Sequence, residues 1–400
     1  MDVFVARQPI FDRNKRIYAY ELLFRTGMSN AFPDLDGETA TSSLLSSSFF
    51  TIGIEQISGG NKVFINFTED LLLRGTPAMF PSGKIMVEVL EDVTPSTEVL
   101  ESCKKLVAAG YELALDDFVF TEQWRPLVAI AKIIKIDFRL TGMEEIKGIV
   151  KTVKPYPCRL LAEKIETYSE FQQARDMGFS YFQGYFFAKP EILKNKDIPS
   201  PQLTLLQLIT EVSRAEFDVS RLEKLINQDV SVPFKLLKYL NSALFYRVQP
   251  ISSIRQAIAF LGERGIRQFV SLIAASKLSE NKPTELIRTS IIRARMLELM
   301  AENLHKSNSS DYFMLGLFSL IDAMLDNEMD YLLNQLPLTE SVKNALGERR
   351  GSMFPFLESI ELYETGNWSD FENVLAGIGL DPARYPVFYM DSVGWADNYQ

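Results

Sequence analysis

The 400-residue sequence has very few of the residues on which many hydrolases depend. Its single histidine, His305, excludes any site that needs a histidine pair or a histidine–aspartate metal cluster within one chain. Zincin-type hydrolases are therefore excluded. The two cysteines, Cys103 and Cys158, are too few for a disulfide framework or a cysteine-based zinc site. This composition favours a protein of the reducing cytoplasm.

The sequence also lacks long apolar runs, an apolar signal core and an excess of basic residues. Its apolar runs are broken by charges well short of the roughly 18 residues that a membrane helix needs, and we expect no secretion signal. The net charge is −10 and the pI is about 5.0. We therefore expect no membrane segment and no DNA binding. A small, highly charged ligand held by divalent metal remains compatible with this charge.

Short β-type runs alternate with helical stretches from residue 1 to about 190. Several runs are almost continuously apolar, as in strands that are buried on both faces. Alternation of this kind predicts parallel βα units, and seven or eight such units predict an α/β fold of the (β/α)8, TIM-like barrel type. The first two runs are joined by DRNK, which predicts an antiparallel opening pair. The runs are VFVARQPIF, RIYAYELLF, KVFINF, KIMVEVLE, ELALDDF, KIIKIDF, RLLAEKIE and YFQGYFFA.

A proline-containing stretch with mixed charge follows the last run and includes Pro190, Pro199 and Pro201. Beyond it, leucine and isoleucine recur at helical spacing almost to the end of the sequence. We therefore predict a barrel domain over residues 1–192, a linker over 193–202 and an all-helical domain over 203–400.

Acidic and amide residues follow or end the predicted strands of the barrel. In a barrel the strand ends converge on one rim, so these side chains are expected to meet. Carboxylates brought together repel one another, and an all-oxygen set of this kind selects Mg²⁺ or Mn²⁺ over zinc. Each residue alone has a simpler interpretation, such as a helix N-cap or a solvated lysine. The set comprises Glu21, Asn66, Glu88, Glu91, Asp116, Asp117, Lys135, Asp137, Glu163, Glu166 and Gln183.

The order of these motifs resembles the EAL family over residues 1 to about 192. The segment YELLFR contains Glu21-Leu22-Leu23 with Arg25 two residues on, and Gln8-Pro9-Ile10 lies upstream. The other matching motifs follow in the family's order. They are Asn66, the Glu88/Glu91 pair, Asp116-Asp117-Phe118, Lys135-Ile136-Asp137, Ala162-Glu163 with Glu166-Thr167, and Gln183-Gly184-Tyr185 with Pro190.

The resemblance implies hydrolysis of cyclic di-GMP to linear pGpG with two divalent cations, Mg²⁺ or Mn²⁺. It assigns the metal ligands to Glu21, Asn66, Glu88, Asp116, Asp117 and Glu163. It assigns catalytic positions to Lys135, which helps to hold the attacking water, and to Glu163, Glu166 and Gln183. It assigns ligand contacts to Gln8, Arg25 and Pro190, and the support of a loop to Glu91. An arginine suits a phosphate oxygen because of its fork of donors.

The loop after Asp117 departs from the family's pattern, in which a Gly-Thr-Gly sequence is usual. Val119 and Phe120 stand there instead, which removes backbone freedom and adds apolar surface. Phe120 and Trp124 serve either a protein contact, such as a homodimer interface, or simple packing. Leu90 and Lys132 are further departures, and the barrel is short beside a typical ~250 residues. Three functions therefore stay open: a phosphodiesterase, a cyclic di-GMP receptor without turnover, and a scaffold.

The region from Leu203 resembles the HDOD module, a helical relative of the HD phosphohydrolases. The resemblance rests on residues 222–245, 250–270 and 315–325. Ser319-Leu320 stands where an HD enzyme has His-Asp, so no metal site of that type can be built. The resemblance implies a bacterial signalling protein whose helical domain is regulatory and binds an unidentified protein partner.

Overall fold

A computed structural model of the protein describes residues 4–25, 58–189, 254–279, 282–336 and 338–397, with isolated positions between 205 and 240. The chain forms two compact units. The first comprises Met1–Lys189, Ser359–Gly377 and Asp381–Gln400, and the second comprises Pro190–Glu358 and Ile378–Leu380. The predicted linker at 193–202 lies outside the described residues, so that boundary stays a prediction.

The first unit contains a closed barrel of eight strands in sequence order. β1 runs antiparallel to both of its neighbours, β2 and β8, whereas the other neighbouring pairs are parallel. The predicted barrel and its antiparallel opening pair are thus confirmed. The strands are β1 (Phe4–Asp12), β2 (Ile17–Arg25), β3 (Lys62–Phe67), β4 (Ile85–Val89), β5 (Glu112–Leu115), β6 (Ile133–Asp137), β7 (Arg159–Glu163) and β8 (Tyr181–Gln183).

The barrel is filled by a layer to which every strand contributes one buried side chain, which explains the apolar character of the strands. Tyr18 packs against this layer and stacks on Tyr181 with ring centroids 3.9 Å apart. The layer consists of Ile10, Ala19, Phe64, Met86, Ala114, Ile133, Leu161 and Tyr181. Buried polar side chains near the carboxyl ends of the parallel strands are therefore exceptions that need a separate explanation.

Helices follow the parallel strands and begin at recognisable caps. Ser96 accepts the main-chain N–H of Val99, and Thr167 with Glu170 forms a reciprocal capping box. The barrel helices are α1 (Glu69–Leu73), α2 (Thr97–Ala108), α3 (Arg125–Val128), α4 (Met143–Val153) and α5 (Tyr168–Asp176), with 3₁₀ segments at Thr76–Met79, Glu122–Trp124 and Tyr185–Ala188. These caps fix where each loop ends, and so they hold the loops that carry the polar residues.

The described part of the second unit is helical, as predicted. Gly316 lies where helices α7 and α8 cross, and a Cβ added there would come within 2.4 Å of the main-chain nitrogen of Ala294. Only glycine allows this approach. The helices are α6 (Ile254–Leu278, kinked at Gly262), α7 (Thr284–Asn303), α8 (Ser309–Phe318), α9 (Ile321–Leu325), α10 (Met329–Gln335) and α11 (Glu340–Gly347). Within the described residues, no helix is long and apolar enough to cross a membrane.

The C-terminal helices depart from the predicted division of the chain. They are α12 (Phe354–Thr365), α13 (Trp368–Ile378) and α14 (Tyr385–Asp397), with a 3₁₀ turn at Pro382–Arg384. Residues 359–377 and 381–400 belong to the same compact unit as the barrel, whereas we predicted one helical domain over 203–400. Tyr363 is fully buried there and packs on the rings of Trp368, Phe371, Tyr385 and Tyr389.

Candidate metal and ligand site in the barrel

A buried lysine lies among four carboxylates near the carboxyl ends of the parallel strands. The ammonium of Lys135, on β6, is 2.8 Å from Asp116 Oδ1, 2.8 Å from Glu163 Oε1 and 3.3 Å from Glu21 Oε2, and it also contacts Glu88. Lys135 is 1% exposed and Glu88 is fully buried. Four acids around one base leave an excess of negative charge in a place with little solvent.

Amide side chains connect the same cluster to β1. Gln183 Nε2 donates to Glu21 Oε2 at 2.7 Å and to Gln8 Oε1 at 2.9 Å. Asn66 Nδ2 donates to Glu21 Oε1 at 3.3 Å. The strand register accounts for these contacts, because Gln8 lies opposite Glu21 and Asn66 lies opposite Glu88. The residues predicted from four separate motifs therefore form one network.

Burial and electrostatic interactions within the cluster shift the pKa values of its side chains. Burial raises the pKa of Glu88 and Glu163 well above the ordinary value, although Lys135 opposes the rise. Burial alone would lower the pKa of the Lys135 ammonium, but the surrounding carboxylates outweigh it and raise that pKa well above its usual range. Burial therefore disfavours the charged form of the two glutamates, and the carboxylates favour the charged form of Lys135.

Asp116, Asp117 and Glu163 offer oxygen atoms that all lie within 4.8 Å of one another. Asp117 has a left-handed backbone with φ of 38°, which costs energy in a residue with a side chain. Burial and repulsion from Asp116 raise the pKa of Asp117 to about 6. Asp117 Oδ1 and Glu163 Oε2 are buried and accept no hydrogen bond from the residues that the structure describes. Such oxygen ligands fit a hard divalent cation.

Two regions of the sequence match known domain models. Residues 46–190 match the EAL domain and residues 198–331 match the HDOD domain. The chain is 39% identical over 382 residues to the "Cyclic di-GMP phosphodiesterase CdgJ" of Vibrio cholerae, covering 94% of this chain and 88% of that protein. It is 36% identical over 409 residues to "Uncharacterized protein YuxH" of Bacillus subtilis, covering 100% of this chain and 99% of that protein.

This chain belongs to the EAL–HDOD family. Solved structures similar to this EAL–HDOD protein include an EAL domain protein from Listeria monocytogenes, with 19% identity and a TM-score of 0.35 over 46% of this chain and 87% of that one. Another is the YkuI protein of Bacillus subtilis, an EAL domain protein in complex with cyclic di-GMP and calcium. It has 17% identity and a TM-score of 0.37 over 66% of this chain and 71% of that one.

Several predicted site residues of the EAL–HDOD protein lie outside the buried network. Glu166 is exposed and pairs with Lys189 at 3.1 Å and with Arg139 at 3.5 Å. Its contacts indicate a role in holding the loop after β7, and its catalytic role stays a prediction. Glu91 lies in an exposed turn after β4. The side chain of Arg25 and the whole of Pro190 lie outside the described residues.

Asp137 also turns away from the predicted constellation. Its Oδ1 accepts the main-chain N–H of Arg139 at 2.6 Å and of Leu140 at 3.0 Å, and its Oδ2 pairs with Lys164. We did not predict a role for Lys164, which immediately follows Glu163 and has a φ of 53°. The sequence signal that could have indicated such a role is the position of Lys164 directly after Glu163, the acid that ends β7. The Asp137–Lys164 pair fixes the loops on both sides of Glu163.

The loop after Asp117, whose sequence differs from the usual Gly-Thr-Gly of the family, contains a cluster of aromatic side chains. Phe118 is buried, and the rings of Phe120 and Trp124 each meet it edge-on with centroids 6.1 Å away. Phe120 and Trp124 are half-buried, whereas Val119 is 54% exposed. Packing within the loop therefore accounts for both aromatic side chains, and a homodimer through this loop stays a prediction.

Proposed function

We propose that the barrel of this EAL–HDOD protein binds cyclic di-GMP and hydrolyses it to linear pGpG. The observation that carries this proposal is the buried lysine among four carboxylates, beside which Glu163 Oε2 and Asp117 Oδ1 accept no hydrogen bond from the described residues. The relative of 39% identity whose name is a cyclic di-GMP phosphodiesterase supports the same conclusion.

The residues around Lys135 would hold two divalent cations, Mg²⁺ or Mn²⁺. The ligands would be Glu21, Asn66, Glu88, Asp116, Asp117 and Glu163. When bound, such cations supply Lewis-acid activation of water and of the phosphodiester. The carboxylates alone would repel an anionic ligand, so the cations would also make the site attractive to its phosphates.

The protein's own groups would position the reactants. Lys135 is buried and stays charged, and it would hold the attacking water. Gln8 would contact the ligand, and Gln183 would orient Gln8 and Glu21 through the hydrogen bonds it donates to both. In the reaction the water hydroxyl joins phosphorus, the P–O3′ bond breaks and the 3′ oxygen takes up a proton. Near-attack positioning of this kind contributes a large share of catalysis.

The helical unit would act as a regulatory or protein-binding module. Ser319, at the position where an HD enzyme has histidine, accepts a hydrogen bond from Arg293 at 3.1 Å and donates one to the Gly316 carbonyl at 2.8 Å. The Ser319 hydroxyl thus stabilises the packing of α7 against α8. This use of Ser319 supports a binding role for the unit, with a protein partner that is unidentified.

The proposal is tested with the purified full chain, cyclic di-GMP and Mn²⁺, measuring both binding and linear product. We expect product from the native protein and a loss of at least about a hundredfold in Glu21→Ala, which removes a carboxylate from the network. Glu98→Ala removes an exposed acid from the first turn of α2 and should leave the rate unchanged.

Each other result of this assay selects a different function. Tight binding without product at every Mn²⁺ concentration would show a receptor. No binding would leave a scaffold and overturn the proposal. A thermal midpoint for Glu21→Ala close to that of the native protein excludes unfolding as the cause of lost product.

A further inference from the structure

The end of helix α12 contacts the barrel at the side chains that surround Gln183. The main-chain carbonyl of Glu364 accepts a hydrogen bond from Gln8 Nε2 at 3.1 Å. The carboxylate of Glu364 accepts one from the hydroxyl of Tyr185, two residues after Gln183. The neighbouring Tyr363 hydroxyl donates to the carbonyl of Val5 at 3.0 Å. All of these residues belong to the first compact unit.

The geometry of the helix end explains why the Glu364 carbonyl is available. Gly366 has a φ of 70°, its N–H donates to the Tyr363 carbonyl at 3.1 Å, and the N–H of Asn367 donates to the Leu362 carbonyl at 2.9 Å. These two bonds form a Schellman motif, which satisfies two of the last carbonyls of the helix. The carbonyl of Glu364 is one of the last four of the helix, which have no partner within it, and it is not one of the two that this motif satisfies. Gln8 Nε2 donates to it.

Two hydrogen bonds fix the direction of the Gln8 amide. Its nitrogen donates to Glu364 and its oxygen accepts from Gln183, so the amide cannot turn over without losing both. Gln183 in turn donates to Glu21. A chain of hydrogen bonds therefore runs from Glu364 through Gln8 and Gln183 to a carboxylate of the proposed metal site.

Glu364 also makes hydrogen bonds to two neighbouring elements of the barrel. Gln8 lies on β1, and Tyr185 lies in the 3₁₀ segment after β8. Gly184, between Gln183 and Tyr185, has no room for a side chain, because a Cβ there would lie 2.2 Å from the Ile165 carbonyl oxygen. The Tyr185 ring thus leaves a tightly packed turn, and its hydroxyl anchors the carboxylate of Glu364.

We propose that Glu364 is a positioning residue of the barrel site, which holds Gln8 and Tyr185 on either side of Gln183 and so presets the Gln8 amide for the ligand. This inference rests on the proposed binding of cyclic di-GMP. It gives residues 359–397 a function in the barrel, although the matched EAL and HDOD ranges end at residues 190 and 331.

The test measures Kd, KM and kcat for cyclic di-GMP with the full chain in Mn²⁺. Glu364→Ala and Tyr185→Phe should each raise Kd and KM about fivefold, because one hydrogen bond that preorganises the site is lost. The value of kcat should change less than about twofold. Glu364→Gln keeps an acceptor for Tyr185 and should recover most of the affinity. Asp391→Ala removes an exposed acid from α14 and is the matched control.

A double mutant distinguishes positioning from general stability. In the Gln8→Ala background, Glu364→Ala should add almost nothing to Kd, because the Glu364 carboxylate acts by holding the helix end whose main-chain carbonyl orients the Gln8 amide. A merely structural role would instead lower the active fraction, and so kcat, at unchanged KM. If the native protein binds and Glu364→Ala binds equally well, the inference is overturned and the proposed function stands. If the native protein does not bind, both fall.

Discussion

Each unit of this EAL–HDOD protein contains a buried carboxylate cluster, and the two clusters differ in the donors that surround them. In the barrel, one ammonium, that of Lys135, lies among four carboxylates. In the helical unit, the fully buried carboxylate of Glu298 accepts hydrogen bonds from Arg264, Arg295 and Gln268. Within the described residues, the carboxylates around Lys135 thus share few donors, whereas Glu298 alone accepts four hydrogen bonds.

This contrast separates a site from a structural network. A buried carboxylate is tolerated when donors surround it, and then it holds the packing together. Glu298 meets that condition through protein groups alone. Asp117 and Glu163 have oxygens without donors in the part of the chain that the structure describes, and they lie close together. An imbalance of this kind supports the proposed cation site.

The largest effect is expected from Lys135→Met, which removes the only cation that contacts these four carboxylates among the described residues. The metal-free free energy of unfolding should fall by about 3–5 kcal/mol, since charges would be left buried without a partner. All three tryptophans, Trp124, Trp368 and Trp395, lie in the first unit, so tryptophan fluorescence in urea follows that unit.

Lys132→Met is the control for this variant. Lys132 is half-exposed and lies 3.9 Å from Glu112, so its loss should cost less than about 0.5 kcal/mol. Mn²⁺ should reduce the loss in Lys135→Met, because a bound cation takes over the neutralising charge. An unchanged urea midpoint for Lys135→Met would contradict the conclusion that the carboxylates of the barrel depend on this one ammonium.

The next effect is that of the cation itself on the native protein. At a hundredfold excess over its Kd, Mn²⁺ should stabilise the first unit by about 2.7 kcal/mol in the tryptophan transition. The pKa of Asp117 in the metal-free barrel is raised from 3.8 to about 6, so below pH 6 this carboxyl holds a proton that the cation must displace.

The affinity for Mn²⁺ should therefore fall at least tenfold for each pH unit below about 6, as measured by titration calorimetry at pH 5, 6 and 7. Asp117→Asn cannot take up that proton, so its weaker binding should depend less steeply on pH. An affinity of the native protein that is constant from pH 5 to 7 would contradict this account.

The smallest effect is expected in the helical unit from Glu298→Gln. Weakening the hydrogen bonds that Arg264 and Arg295 donate to this charge should cost about 2 kcal/mol, as measured by far-ultraviolet circular dichroism in urea. Glu302→Gln is the control, because Glu302 also contacts Arg264 but is 38% exposed; its loss should stay below about 0.5 kcal/mol. Equal losses of stability in the two variants would show that burial does not determine how much each glutamate contributes to stability.

The sequence predicts the barrel well because its strands are buried on both faces and carry acids at their ends. The run KVFINF corresponds residue for residue to β3, Lys62–Phe67. The motif residues Glu21, Glu88, Asp116 and Glu163 meet at Lys135, as the convergence of strand ends predicts. Lys135 was expected to hold a water, and the structure adds that it is the shared counter-ion.

The rest of the site depends on contacts that periodicity does not encode. Glu166 is three residues from Glu163, yet one loop residue with positive φ, Lys164, separates the buried side chain from the exposed one. The helical pattern of 354–365 predicts a helix but not the surface on which it packs. The hydrogen bond from Gln8 to the Glu364 carbonyl joins residues 356 positions apart, so no local sequence pattern predicts it.

The return of the C-terminal helices to the barrel unit has a consequence for biosynthesis. Residues 190–358 are translated between the last barrel strand and the segment that contacts Gln8. At roughly 5–20 residues per second, a ribosome needs on the order of ten seconds or more to cross them. During that interval the nascent barrel has all eight strands but lacks Glu364. The helical unit therefore leaves the ribosome before the first unit is complete.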